Sequence, residues 1–424
     1  MTLNRTQQPP FKQVEQINFV EARPHQLQNG IPVYVINAGE QNLVRLEFIF
    51  ENSNWDAHKP LLAGLTNAML SEGTHALSSA EIASKIDYYG AFFQAEATPD
   101  HSILTLYSLN KYLPQTLPVI KEMLSGSIFP QKELDVQLRN QKQKLKLALE
   151  KNAVLARRDF ANALFGDTPY GITATQEDYD KVLRDDLIAH YQAVYQPNNC
   201  VIVASGKILD ETIVLLNELF GQLKSTGEQV SPDYTPHSAQ ERLHYTEKPE
   251  ALQSAIRIGT IAMQRKHPDF VGMQVLNTAL GGYFGSRLMS NIREDKGYTY
   301  GIGSGLASLQ HGAYFFIATE VGVDVTAATL REIEFEVERL KNELIAPQEL
   351  DLIRNFMVGS LLGSLENAFS HADKFKNLHF SGLDYSYYQH YVNTVKTIQA
   401  HELQALAQRY FDYNNFHKVV VGKM

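Results

Sequence analysis

A chain of 424 residues is too long for one ordinary hydrophobic core and predicts two or more domains. Hydrophobic residues at 44% and charged residues at 20% describe a soluble globular protein, which excludes disordered and fibrous classes. A formal net charge of −9 argues against nucleic-acid binding, because no basic field is present to displace counterions from phosphates.

The opening residues, MTLNRTQQPPFKQVEQ, contain no apolar run of signal-peptide length. No segment approaches the ~18 consecutive apolar residues of a membrane span, so no membrane insertion is expected and the default compartment is the cytoplasm unless processing has removed a leader. Strand-like runs at residues 33–36 and 44–51 come first and lead into a helical stretch at 61–71. Strands at 92–98 and 102–108 follow, then long helices at 114–124 and 132–164. Lys142, Lys144 and Lys146 on the latter read as a solvated face with acids close by. A closing helix at 185–194 precedes a strand at 201–204. The single cysteine, Cys200, excludes an intramolecular disulfide and a Cys-rich metal site, and reads as a packing residue of that buried strand.

Residues 225–239 are polar, contain Gly227, Ser231, Pro232, Pro236 and Ser238, and lack periodicity, so they read as a linker. They divide a first domain, 1–228, from a second, 229–424. The second half repeats the order: a strand at 255–261, a helix at 270–280, strands at 302–308 and 312–320, helices at 325–344 and 347–365, then a helix at 400–411 and a strand at 418–421. Short identities recur in one register. Glu133-Leu134-Asp135 returns as Glu349-Leu350-Asp351, Asn198-Asn199 as Asn414-Asn415, and Gly206-Lys207 as Gly422-Lys423. The chain is a duplication. Strand-rich segments followed by helix-rich ones predict two tandem α+β domains, each a mostly antiparallel sheet with helices on one face.

Residues 280–305 read LGGYFGSRLMSNIREDKGYTYGIGSG. Gly281, Gly282 and Gly285 suggest a loop able to adopt positive φ and to approach another chain closely. A short helix is expected from Ser286 through Asn291, ending near Lys296-Gly297, with a strand opening at Tyr298-Thr299-Tyr300. By residue type alone, Arg293 with Glu294 and Asp295 fits a helix-end ion-pair cluster, and Tyr300 fits an ordinary strand aromatic. With the glycine loop and the duplicated frame, the segment resembles the insulinase/pitrilysin family of zinc metallopeptidases (inverzincins), which includes the mitochondrial processing peptidases and paired bacterial enzymes.

That resemblance covers nearly the whole chain. It implies a half-chamber of two domains, in which Arg293 and Tyr300 reach a catalytic zinc held by another domain, and Gly281, Gly282 and Gly285 contact substrate. Tyr300 would then donate a hydrogen bond to the substrate carbonyl or tetrahedral oxyanion, and Arg293 would bond substrate backbone or fix the tyrosine. The family's active subunits also carry His-x-x-Glu-His on a helix of the first domain, with both histidines on one helical face. Reading back from Ser71-Glu72-Gly73-Thr74, which is similar to the end of that motif region, the motif places fall on Gly64, Leu65, Thr66, Asn67 and Ala68. Gly64 and Ala68 have no lone pairs for a metal. The later helix, 139–151, offers only Glu150 as an acid.

No competing enzyme site emerges. There is no Gly-x-Ser-x-Gly elbow and no phosphate-binding loop. Asp100, His101 and Ser102 are adjacent on a strand and point to opposite faces, so they form no triad. The resemblance therefore implies a non-catalytic, substrate-positioning subunit, with no cofactor in this chain and zinc in a homologous partner subunit. The substrate peptide would add as a strand to a sheet edge, of which residues 92–98 are this chain's copy. The alternative is a structural, core-type subunit of the same fold without a proteolytic role. A homodimer is possible when the partner is absent.

Overall fold

The computed structural model describes residue 6, residues 17–225 and residues 230–424, so the expected boundary at 228/229 lies outside the described residues. The first sheet contains β1 (Arg23–Gln26), β2 (Pro32–Asn37), β3 (Leu43–Glu51), β4 (Phe92–Ala97), β5 (His101–Leu109) and β6 (Cys200–Gly206), in the order β1-β2-β6-β3-β5-β4. The second contains β7 (Leu243–Glu247), β8 (Gln253–Ile261), β9 (Thr299–Ser308), β10 (Ala313–Gly322) and β11 (His417–Gly422), in the order β7-β11-β8-β10-β9. One pair in each sheet is parallel, β2 with β6 and β7 with β11; the remaining pairs are antiparallel.

With β1 set aside, the two sheets match strand for strand, as the internal repeat requires. The repeated residues hold matching places. Gly206 and Gly422 both adopt positive φ, +114° and +142°, at the ends of β6 and β11. A Cβ there would lie 2.3 Å from the Leu43 carbonyl oxygen, or 2.5 Å from Ser254 Oγ, so only glycine fits. Leu134 and Leu350 are buried alike, as are Leu187 and Leu403.

Period-two alternation along β3 explains how the sheet is used. Val44, Leu46, Phe48 and Phe50 enter a core with Leu65, Leu117 and Leu216, carried by the first half's own helices Leu62–Met69, Leu113–Gly126 and Asp210–Phe220. Ile49 faces the other way. With Ile36 and Val203 it packs on Ala372 and Phe375 of the helix Ala368–His379, which belongs to the second half. The exchange is reciprocal: Phe160 and Phe165 of the helix Asn152–Phe165 pack with Ala255, Val419 and Val421 of the second sheet. Each half keeps its own helices on one face of its sheet and covers the other half's remaining face with one more.

This exchange accounts for a difference from the sequence reading. Residues 132–164 are not one helix. The helix Gln131–Ala148 stops, Lys151 turns extended at φ −84° and ψ 122°, and a new helix starts at Asn152. The Asn152 amide donates to the Gln253 carbonyl at 2.8 Å, pinning the new helix to the start of β8. No glycine or proline marks the break. The helix Ser386–Thr397 likewise lies outside the expected elements.

Charge orients one half of the exchange. Arg45 and Glu47 lie on the same face of β3 as Ile49 and are both buried. Arg45 Nη2 sits 3.1 Å from Glu47 and donates to Asp373 at 2.9 Å and to the Phe369 carbonyl at 2.9 Å. Lys376 closes the ring by donating to Glu47 and lying 3.0 Å from Asp373. Two cations and two carboxylates thus alternate between β3 and the incoming helix. Removing one buried member leaves uncompensated charge behind, at a cost of about 3–5 kcal/mol. Glu47→Ala is expected to lower the unfolding free energy by about that amount in urea denaturation. A loss below about 1 kcal/mol would mean that the ring does not hold the helix.

Candidate functional site

The helix Phe270–Asn277 runs on into Thr278–Gly282, where the turns widen to the π form, and the backbone then extends at Tyr283. A second widened segment, Met289–Asp295, carries Arg293, and the Lys296 N–H bonds the Asn291 carbonyl five residues back at 3.1 Å. The short helix expected from Ser286, ending near Lys296-Gly297, is present over residues 287–295 and is underwound into the wider form from Met289 onward. Wide turns of this kind are rare and concentrate at functional places. Gly297, at φ +66°, reverses the chain into β9, the edge strand of the second sheet.

The glycines do not work as expected. Gly281, Gly282 and Gly285 all lie outside the positive-φ region. Close packing is their reason instead: a Cβ on Gly281 would sit 2.6 Å from Ser304 Oγ and 2.7 Å from the Ser304 nitrogen. The approach recorded there is to the chain's own β9. A Cβ on Gly285 would meet the Tyr283 ring at 2.9 Å, and one on Gly282 the Asn277 carbonyl oxygen at 3.2 Å.

The segment brings Arg293 and Tyr300 together. The guanidinium carbon of Arg293 lies 4.6 Å from the Phe284 ring centroid and 5.6 Å from that of Tyr300. Neighbouring cations are occupied, Arg287 by Glu349 at 2.9 Å and Lys296 by Glu332 at 3.5 Å. Arg293 forms no ion pair among the described residues, so the helix-end cluster with Glu294 and Asp295 does not form. Its cation lies over both rings, an attraction of about 0.5–1 kcal/mol per ring at an exposed site. Tyr300 is 94% exposed and Phe284 63%. The stack presents a phenol and a guanidinium together on an open sheet edge.

The corresponding helix of the first half, Leu62–Met69, differs in chemistry. Gly64 is exposed, and a Cβ there would meet nothing within 4 Å. Asn67 is 1% exposed and its hydrogen bonds face inward. Its amide nitrogen donates to the Glu96 carbonyl at 2.6 Å and to the Ile103 carbonyl at 3.3 Å, and its oxygen accepts from the Tyr195 hydroxyl at 2.9 Å. It thereby ties the helix to β4, β5 and the helix Arg184–Val194. Gly64, Asn67 and Ala68 do not fit a zinc ion: two lack donor atoms and the third has committed its own. Among the described residues no three His, Cys, Asp or Glu side chains converge as a metal site would require. Lys142, on the later helix, pairs with Asp180 at 2.6 Å.

Sequence reasoning missed His190. It lines a cavity of about 230 Å³ beside Gly64, together with Asn52, Trp55 and Thr98. The ring is 6% exposed, its Nε2 has no hydrogen-bond partner, and burial pushes its pKa down to about 4. It is neutral at pH 7. A lone histidine among the helical residues 184–194 carries no motif that could have flagged it.

With this geometry, comparisons with known proteins become specific. Residues 61–177 match the family described as insulinase (peptidase family M16), and residues 181–357 match the peptidase M16 inactive domain. The chain belongs to the insulinase (M16) peptidase family. Among curated M16 relatives, the non-peptidase homolog YmxG of Helicobacter pylori is 25% identical over 389 residues, covering 89% of this chain and 88% of that protein. The uncharacterized zinc protease YmxG of Bacillus subtilis is 26% identical over 301 residues, covering 70% and 73%. A peptidase M16 inactive domain from Pseudomonas fluorescens shares the fold at a TM-score of 0.85 and 23% identity, covering 95% of this chain and 98% of its own. The periplasmic protease PqqL of Escherichia coli aligns at a TM-score of 0.78 and 15% identity over 100% of this chain, but only 49% of its own. The first-half helix of this M16 chain carries Gly64, Asn67 and Ala68 at the places where the resemblance puts the family's zinc motif.

Two outcomes follow from this chemistry. Asn67→Ala strands two carbonyls and a phenol and is expected to cost about 2–4 kcal/mol in urea denaturation. His190 takes up its proton near pH 6.5 when unfolded and near pH 4 when folded, so the unfolded chain binds more protons between those values. Its contribution is full above pH 6.5 and disappears as pH falls to 4. Replacing His190 with Leu is expected to flatten the dependence of unfolding free energy on pH across that window; an unchanged slope would show that the ring is not held neutral.

Proposed function

We propose that this chain is the substrate-positioning subunit of a heterodimeric metalloendopeptidase. The metal chemistry belongs to a homologous partner that carries His-x-x-Glu-His, and this chain supplies Arg293 and Tyr300. The observation behind this reading is the pairing of a stacked, unpaired guanidinium with a fully exposed phenol on the edge strand β9. A tyrosine kept only for packing would be buried. A phenol held in the open by a cation on its ring face is ready to donate a hydrogen bond to an oxygen arriving from outside.

Acyl transfer at a peptide bond develops negative charge on the carbonyl oxygen, and a pre-positioned donor stabilises it without having to release its proton. Arg293, with five donors in a rigid fork, can also accept the extended backbone of a peptide lying beside β9, while Phe284 and Tyr300 limit where its plane can turn. Gly281 keeps the adjoining segment tight against β9, and Gly282 and Gly285 fold that segment closely on Asn277 and Tyr283, so that its backbone can lie close to such a peptide. The first half, with Asn67 committed inward, contributes shape rather than chemistry.

A second reading, a core-type structural subunit without a proteolytic role, draws on the name of the Helicobacter relative. One experiment separates the two. Purified chain is mixed with a homologous M16 subunit bearing His-x-x-Glu-His, and cleavage of a fluorogenic peptide is followed. Cleavage is expected only in the mixture. Tyr300→Phe is expected to lower kcat about 100-fold with little change in KM, the loss typical of one oxyanion donor. Because the side chain is exposed, the variant folds normally, and an unchanged rate would reject the role of the hydroxyl. A stable but inactive complex would favour the structural reading.

A further inference from the structure

Two cations with no ion-pair partner meet in a cavity that the role of Arg293 and Tyr300 does not use. The cavity has a volume of about 350 Å³ and lies among the second half's helices Phe270–Asn277, Pro347–Gly363, Ala368–His379 and Ser386–Thr397. Arg265 and Lys374 line it, together with Asn277, Tyr387, Tyr388 and Tyr391. Among the described residues, neither Arg265 nor Lys374 forms an ion pair, and no carboxylate is in the lining. The nearby acid Asp373 is turned to the other side of its helix, where it engages Arg45 and Lys376.

The two charges are close enough to oppose each other. Burial, and then Arg265, lower the Lys374 pKa below the ordinary lysine value. Burial raises the phenols of Tyr387 and Tyr388, and Arg265 partly offsets both increases, so the guanidinium lies near both rings. Its carbon is 5.6 Å from the Tyr387 centroid, and its Nε is buried with no hydrogen-bond partner. The Tyr391 phenol is pushed up to about 12, so it stays protonated and able to donate. The Ser360 hydroxyl adds a donor to the wall, while that of Ser364 donates to the Leu361 carbonyl at 2.7 Å.

Arg265 and Lys374 are half-buried, Asp373 offsets only part of the strain on Lys374, and like charges so placed are eased by something negative in the space they share. We propose that this cavity is a binding site for an oxyanion, a carboxylate or a phosphate, carried on a small body that rests against the tyrosine rings. Its volume is at the lower end of the range for small-molecule sites, and its mixture of apolar wall and few convergent polar groups is the usual composition of one. Arg265 supplies a planar fork for two oxygens, Lys374 a point charge, and Tyr391 a neutral donor. The site adjoins the glycine segment, since Thr278 lines it and the Tyr283 ring packs 5.1 Å from Phe356, another lining residue. It stands apart from the partner-dependent role and is tested on the isolated chain.

Calorimetric titration of the isolated full chain uses three probes: inorganic phosphate, the acetylated tripeptide Ala-Ala-Phe with a free carboxylate, and the same tripeptide as its amide. The free acid or phosphate is expected to bind at least about tenfold more tightly than the amide. Arg265→Gln and Lys374→Met are each expected to weaken that binding at least about tenfold, whereas Lys374→Arg retains it and shows that the cavity still forms. Tighter binding of the acid than of phosphate identifies a carboxylate ligand; the reverse order identifies a phosphate ligand. Equal binding of acid and amide with no response to phosphate overturns the proposal. So does unchanged affinity in Arg265→Gln and Lys374→Met.

Discussion

Neither sheet is finished by its own half of the chain. The helix Ala368–His379 crosses from the second half to cover Ile36, Ile49 and Val203, and the helix Asn152–Phe165 crosses the other way to cover Ala255, Val419 and Val421. Both sheets are therefore buried on two faces, and the halves hold one another in a fixed relation. The ring of Arg45, Glu47, Asp373 and Lys376 adds direction to an otherwise greasy contact, because only one placement of the incoming helix alternates the charges. Buried ion pairs of this kind contribute orientation more dependably than net stability.

Once the halves are fixed, their differences carry the functional meaning. Each half packs the first helix after its opening strands beside an edge strand, β4 in one and β9 in the other. In the first half Asn67 spends its amide on β4, β5 and Tyr195, which locks the helix where a metal motif would need free donors. In the second half the helix widens, runs into a glycine segment seated on Ser304, and returns through another widened segment to display Arg293 beside Tyr300. One copy has become a closed structural joint. The other is an open edge with donors facing outward.

Much of this was legible in the sequence. The duplication could be read because a few of its residues answer to backbone geometry that tolerates no substitute, as at Gly206 and Gly422, or to full burial, as at Leu134 and Leu350. The order of elements along each copy follows from the order of apolar runs, although β1 and β7, which are mostly exposed, lack such a run. The exchange of helices could not be read, since periodicity reports that a helix has an apolar face but not which sheet that face will meet. The break at residues 149–151 has no glycine or proline to announce it. Nothing local marks Arg45 and Glu47 as a buried ion cluster, because their partners are more than three hundred positions away. The glycines at 281, 282 and 285 stand out in the sequence, but close packing on Ser304, Asn277 and Tyr283, not backbone sign, is what requires them. His190, Arg265 and Lys374 belong to no local pattern, and only the folded chain brings them to a cavity.

The division of labour between a metal-bearing partner and this chain depends most directly on whether the first half can hold zinc. Elemental analysis of the isolated chain, dialysed against buffer containing micromolar zinc and then against metal-free buffer, measures this. Retained zinc far below one ion per chain is the expected result, because Gly64, Asn67 and Ala68 leave no free donor on that helix. One tightly held ion per chain, lost when first-half residues around Gly64 are replaced, would contradict it.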